Sequence, residues 1–232
     1  MLFSLTVLWA GGGKEAGKAD TKYTWRIATN HPVQHPTTDS LHALAKELST
    51  RSNGKIELKV YAAAQLGEET QVIEQVQQGI IDFVRVSAGN MSGFAPLMDI
   101  FSVPYLFRDA DHYWKVLNGP IGQEIMKDLE SKNMKGLVFV DGGARSFYNR
   151  VKSVKTPEDL KGMKIRVMPS KIMLKTIEAF GAQATTTSFA EVYSALQTGV
   201  IDGAENSAIS LLTMKHSEVA PYFSLDEHMR IP

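Results

Sequence analysis

The sequence predicts an α/β fold arranged as two lobes around a cleft. From Tyr23 onward, segments with period-two apolar alternation take turns with segments of helical periodicity. A short motif recurs, QGIID at 78–82 and TGVID at 198–202, each closing a helix and leading into a strand. Polar residues stand at the far ends of those strands, where two facing parallel sheets would line a cleft. The chain has 232 residues, 44% of them hydrophobic, enough for one large core or two modest ones.

The elements follow in order. Residues 1–20 precede the regular pattern: MLFSLTVLWA is apolar but shorter than the about 20 residues that span a bilayer, and it lacks the basic lead of a complete export signal. With the small, polar GGGKEAGKADTK behind it, this stretch reads as a partial signal peptide and flexible linker, so the expected location is the periplasm. YTWRIATN (23–30) is a strand, and TTDSLHALAKELSTRSNG (37–54) carries Leu41, Leu44, Ala45 and Leu48 at helical spacing. KIELKVYA (55–62) is a strand and GEETQVIEQVQQG (67–79) a helix with acids in its first turn. IIDFVRVSA (80–88) is the third strand, and a helical, aromatic-rich stretch runs from Asp109 to Ser131. GLVFV (136–140) reads as a strand, TPEDLKG as a helical turn capped by Thr156 with Pro157 first, and MKIRVM (163–168) as a strand. SFAEVYSALQTG opens with Ser188 and Glu191 at capping-box spacing and leads into VIDGAEN. Largely parallel sheets are expected, with 21–143 as the first lobe and 144–232 as the second.

Composition excludes several functions. Lys plus Arg equals Asp plus Glu at 25 each, so no basic excess points to nucleic acid. There is no cysteine for a disulfide, thiolate site or nucleophile. No glycine-rich phosphate loop, GxSxG elbow or HExxH motif is present, so no cofactor is expected. His31 and His35 suggest a metal at first sight, but Pro32 and Pro36 prevent a helical pair and no third ligand cluster accompanies them.

Two arginines stand out. In KIRVM, strand alternation sends Ile165 and Val167 to one face and Arg166 to the other. An edge strand with a solvated arginine, or a pair with Asp159, fits this stretch too. In FVDGGARSFYN, an apolar run passes through two glycines to Arg145, which stands where a strand empties into a loop. Two planar guanidinium forks at neighbouring strand ends suit a carboxylate.

AAAQLGEE, GGARSFYNR, DLKGMKIRVMPS, FAEVYSALQTGVIDGAEN and HSEVAPYFSLDEH, in this order, resemble the extracytoplasmic solute-binding proteins of tripartite ATP-independent periplasmic (TRAP) transporters, of the DctP type. The resemblance implies a periplasmic-binding-protein fold with a hinge. It implies a non-enzymatic monomer that captures an organic acid and passes it to a small and a large integral membrane subunit. It carries a carboxylate grip onto Arg166, assisted by Arg145, and ligand contacts onto Asn206, Phe189, Asn30 or His31, Ser87 and Arg85. Family members run further than EHMRIP, so the chain reads as C-terminally truncated, ending near its return to the first lobe.

His31, Ser87, Tyr148, Asn149, Glu205 and Asn206 offer donors and acceptors that suit a hydroxylated acid. GARSFYN with NHP and RVSA resembles the uronate and sugar-acid binders, which favours glucuronate or galacturonate over a C4-dicarboxylate or keto acid. A sugar-acid lyase or isomerase using Glu205 or His31 for proton transfer is the reading from a different class.

Overall fold

The computed structural model describes residues 22–232, so the signal-peptide reading of 1–20 lies outside the described residues. The chain builds β1 (Tyr23–Ala28), α1 (Pro36–Arg51), β2 (Ile56–Tyr61), α2 (Glu69–Gln77), β3 (Phe83–Val84) and the single turn α3 (Ala88–Met91). Helices α4 (Ala110–Leu117) and α5 (Pro120–Asp128) precede β4 (Ala144–Asn149), β5 (Lys164–Val167), α6 (Lys171–Ala179) and β6 (Gln183–Thr186). Then come α7 (Val192–Thr198), β7 (Gly203–Ser207), α8 (Ala208–Thr213), β8 (Tyr222–Phe223) and β9 (Met229–Arg230).

The first sheet is parallel throughout, in the order β2-β1-β3. The second repeats that plan as β6-β5-β7, again parallel, and is extended by β4, which runs antiparallel to β7 and carries β8 and β9 on its other side. The second sheet is therefore mixed rather than largely parallel. The recurring sequence motif folds alike in both places. Gly79 and Gly199 end their helices at φ 72° and 77°, a left-handed conformation that glycine adopts without steric cost. Ile81 and Ile201 are buried next to exposed Ile80 and Val200. Asp82 accepts the Arg26 backbone N–H at 2.8 Å, and Asp202 that of Lys164 at 2.9 Å, each fastening its strand to the central strand of its own sheet.

Several local expectations are corrected. GLVFV forms no strand: Leu137 and Val138 are 67% and 72% exposed, and the sheet strand begins only at Ala144. Arg145 thus lies inside a strand instead of beyond one. The third strand shrinks to Phe83–Val84, which pairs only with Ile27 and Ala28. Ser188 and Glu191 form no capping box; the Ser188 hydroxyl donates to the Glu191 carboxylate at 2.7 Å. Thr156 and Asp159 do make one, around a 3-10 turn at Pro157–Leu160.

The largest apolar cluster crosses residue 143. Met98, Phe101, Tyr113 and Leu117 pack in one body with Phe147, Ile165, Met173 and Ile177, so the helical middle of the chain leans on the second sheet. A second cluster, with Tyr148, Phe189, Leu196 and Leu211, fills the opposite face of that sheet. Between the strand ends of the two sheets lies a cleft.

Candidate functional site

The cleft has a narrow inner cavity of about 20 Å³ and a wider outer chamber of about 230 Å³. Asn30, Glu69, Asn90, Arg166 and Phe189 form walls of both. The first sheet contributes Asn30 and His31 from beyond β1, and Arg85 and Ser87 from beyond β3. The second contributes Arg145 from β4, Arg166 from β5 and Asn206 from β7. Because β4 runs antiparallel, its first residues meet the carboxyl end of β7, with Arg145 opposite Ser207. That brings Arg145 to the same end of the sheet as Arg166, two strands away.

The backbone before β4 approaches the cleft closely. A Cβ on Gly142 would lie 2.4 Å from the Ile231 carbonyl oxygen, and Gly143 holds φ +83°. Only glycines fit both positions without displacement.

Three guanidinium groups converge here, and each meets a different fate. Arg145 is clamped by Glu205: Nε donates to Oε2 at 2.5 Å and Nη2 to Oε1 at 2.8 Å, while Nη1 reaches Asn206 Oδ1 at 3.0 Å. Burial disfavours its charge, but the Glu205 carboxylate outweighs that and raises its pKa. Arg85 stands 3.7 Å from Glu69 and donates to His31 Nε2 at 3.2 Å. Arg166 is only 3% exposed, and its one hydrogen bond among the described residues runs from Nε to the Thr187 carbonyl at 2.8 Å. Among the described residues no carboxylate comes within ion-pair distance of it, and Asp159 pairs with Lys152 instead. Burial lowers the Arg166 pKa, with the more distant Glu205 opposing. Its neighbours Ile165 and Val167 are buried in the first cluster, while Arg166, on the face that carries the second cluster, lines the cleft at the strand's end.

His31, Thr37 and His35 form a neutral chain. With Arg85 donating to His31 Nε2, the His31 Nδ1–H donates to Thr37 Oγ1 at 2.6 Å, and the Thr37 hydroxyl donates to His35 Nδ1 at 2.8 Å. His35 Nε2–H then faces Ser210 Oγ on α8 at 3.4 Å, a contact from the first sheet's side to the second's. Burial, helped by Arg85, lowers both imidazoles, His35 to about 4. The native state favours neutral His35, so its stabilising contribution is present above pH about 6.5 and declines as pH falls from there toward 4. Melting temperature should therefore drop over that interval, and His35→Asn should lose less across it than the parent protein does.

Of the eleven residues singled out from sequence, eight line the inner cavity: Asn30, His31, Arg85, Ser87, Arg145, Arg166, Phe189 and Asn206. Three do not. Tyr148 points into the second cluster, where its hydroxyl meets His216 Nδ1 at 2.8 Å behind Phe189. Asn149 lies four residues along β4 from Arg145, roughly 13 Å away at strand rise, and its side chain accepts the Val151 and Lys152 N–H groups at 2.8 Å. Glu205 is fully buried beneath Arg145 and carries no exposed edge. Glu69, Asn90, Gly142, Met168, Ser210 and Ile231 also line the cavity and were missed. The acids of GEE had signalled only a helix start.

Two α/β lobes closing on a guanidinium-lined cleft define the class of two-lobed solute receptors. The chain belongs to the bacterial extracellular solute-binding proteins of family 7, DctP, whose model matches residues 27–232. A solute-binding protein of Chromohalobacter salexigens is 38% identical over 209 residues, covering 90% of this chain and 62% of that protein. The chain thus spans under two thirds of the length of this curated relative. The crystal structure of a TRAP periplasmic solute-binding protein from Sulfitobacter sp. NAS-14.1 with bound β-D-galacturonate is 40% identical, with TM-score 0.88, over 90% of this chain and 70% of that one. One from Sulfurospirillum deleyianum with bound succinate is 31% identical, also with TM-score 0.88, over 91% of this chain and 68% of the other.

Proposed function

We propose that the full-length protein is the periplasmic receptor of a tripartite ATP-independent transporter, that it captures a hexuronate such as galacturonate or glucuronate, and that it hands the acid to a small and a large membrane subunit. The observation that carries the reading is Arg166, a buried guanidinium that lines the cleft and whose two terminal nitrogens have no partner among the described residues. A carboxylate would fill that place with charge-assisted bonds worth roughly 1.5–3 kcal/mol each. Arg145, locked by Glu205, is the positioned assistant.

The rest of the wall favours a hydroxylated acid over a plain one. Asn30 Oδ1 is a buried acceptor without a partner, and Asn206 uses Oδ1 on Arg145 and Ser207 N–H, leaving its amide nitrogen for a ligand. Phe189 gives an apolar platform for a sugar ring. The greater identity to the galacturonate-bound relative than to the succinate-bound one points the same way. The receptor acts without catalysis: Glu205 is tied to Arg145, and both His31 nitrogens are engaged.

Calorimetric titration of the full-length protein with galacturonate, glucuronate, succinate and neutral galactose tests this. A uronate should bind at least tenfold more tightly than succinate, galactose should not bind, and the recovered acid should be chemically unchanged. Preference for succinate would move the protein to the dicarboxylate binders. Conversion of the acid would make it an enzyme.

A further inference from the structure

The charged groups of the inner cavity do not cancel. Arg85 is matched by Glu69, and Arg145 by Glu205. Glu69 is 5% exposed, and both its oxygens accept: Oε1 takes the Ser87 N–H at 3.1 Å, and Oε2 takes the Asn90 side-chain amide. Burial raises the Glu69 carboxyl, and Arg85 together with the Ser87 N–H opposes that; two acceptor oxygens facing two donors and a guanidinium are the arrangement that serves the ionised carboxylate. His31 is neutral, because Arg85 donates to one of its nitrogens and it donates from the other. Arg230 is taken up by Asp141 at 3.1 Å. Among the described residues, one positive charge, that of Arg166, is left for the cleft. Glu68, on the wall of the outer chamber, adds further negative charge at the mouth.

We infer that the cavity is charge-matched to one carboxylate, and that Glu69, by consuming the charge of Arg85, makes it refuse a second. This rests on the proposed reading of Arg166 as the carboxylate grip. A monoanion entering the cleft leaves the enclosed charges neutral. A dianion of the same size leaves one buried negative charge without a counterion, within reach of Glu69, and enclosure makes that costly. The substrate class is therefore the polyhydroxylated monocarboxylates, with aldarates and C4-dicarboxylates excluded by charge as well as by unfilled hydrogen bonds. Without Glu69 the same wall would offer two free cations, Arg85 and Arg166, on opposite sides of the cavity.

The test uses two linear acids that differ only at one end, galactonate and galactarate, each competing with bound galacturonate on the full-length protein. Galactonate should compete about 100-fold better than galactarate. In Glu69→Gln, which retains an acceptor for Ser87 N–H, that ratio should shrink by about tenfold or more. Should this variant not fold, calorimetry of the parent protein in buffers of different ionisation enthalpy supplies the second readout. Galactarate should take up about one proton on binding and galactonate none. Equal competition by the two acids, a ratio unmoved by Glu69→Gln, or galactarate binding with no proton uptake would overturn the inference. If neither linear acid competes, shape and not charge sets the limit, and the inference falls as well. Failure of galacturonate itself to bind would instead strike at the proposed function.

Discussion

Arg166→Ala is expected to weaken acid binding by about 100- to 10,000-fold, the loss of two charge-assisted hydrogen bonds, while leaving the unbound fold close to its original stability. The second half of that expectation is the more distinctive. Arg166 is a buried cation held by one bond to a carbonyl, so removing it sacrifices little and relieves a desolvated charge. Arg166→Lys separates charge from geometry. A lysine keeps the positive charge but cannot present two parallel donors, so it should recover only part of the affinity. Full recovery would mean that a point charge suffices.

Glu205→Ala is expected to do the opposite, costing stability first. Glu205 is fully buried and supplies both carboxylate oxygens to Arg145, which is itself 5% exposed. Deleting it strands a guanidinium in the interior, a loss of about 3–5 kcal/mol. For a chain of this size that lowers the melting temperature by roughly 6–20 °C. Replacing both partners by apolar residues, Arg145→Met with Glu205→Leu, should restore much of the stability while leaving affinity low. A single-variant loss below about 1 kcal/mol would show that the pair is not what holds this end of the second sheet together. The two arginines contrast physically: Glu205 clamps Arg145 into the protein, while Arg166, the proposed grip, keeps a single bond to the Thr187 carbonyl among the described residues.

Much of this was legible in the sequence where local pattern decides structure. The repeated strand-helix unit could be read because Gly79 and Gly199 and the alternation around Ile81 and Ile201 are close in sequence to what they organise, whereas the strands that Asp82 and Asp202 fasten lie 56 and 38 residues back. Arg166 stood out because a charge inside an apolar strand needs a reason. The failures occurred where partners are distant. GLVFV has the composition of a strand, but the sheet edge is taken by β4, whose register with β7 joins residues about sixty positions apart, as in Ser146 with Asn206. Strand alternation then sends Tyr148 into the second core cluster, a direction unreadable until the strand is placed at 144–149 instead of before it. Glu69 was hidden for the same reason. An acid in a helix's first turn is ordinarily solvated, and only the fold sets this one against Arg85, Ser87 and Asn90.

On the proposed reading, a ligand carboxylate occupies the place beside the terminal nitrogens of Arg166, which have no partner among the described residues. The most direct measurement is a crystal structure of the full-length protein grown with galacturonate. Both carboxylate oxygens are expected within about 3 Å of Arg166 Nη1 and Nη2, with the sugar ring against Phe189 and Arg145 still clamped by Glu205. A carboxylate bound elsewhere in the cleft, or Arg166 turned onto a protein acid in the complex, would contradict that reading.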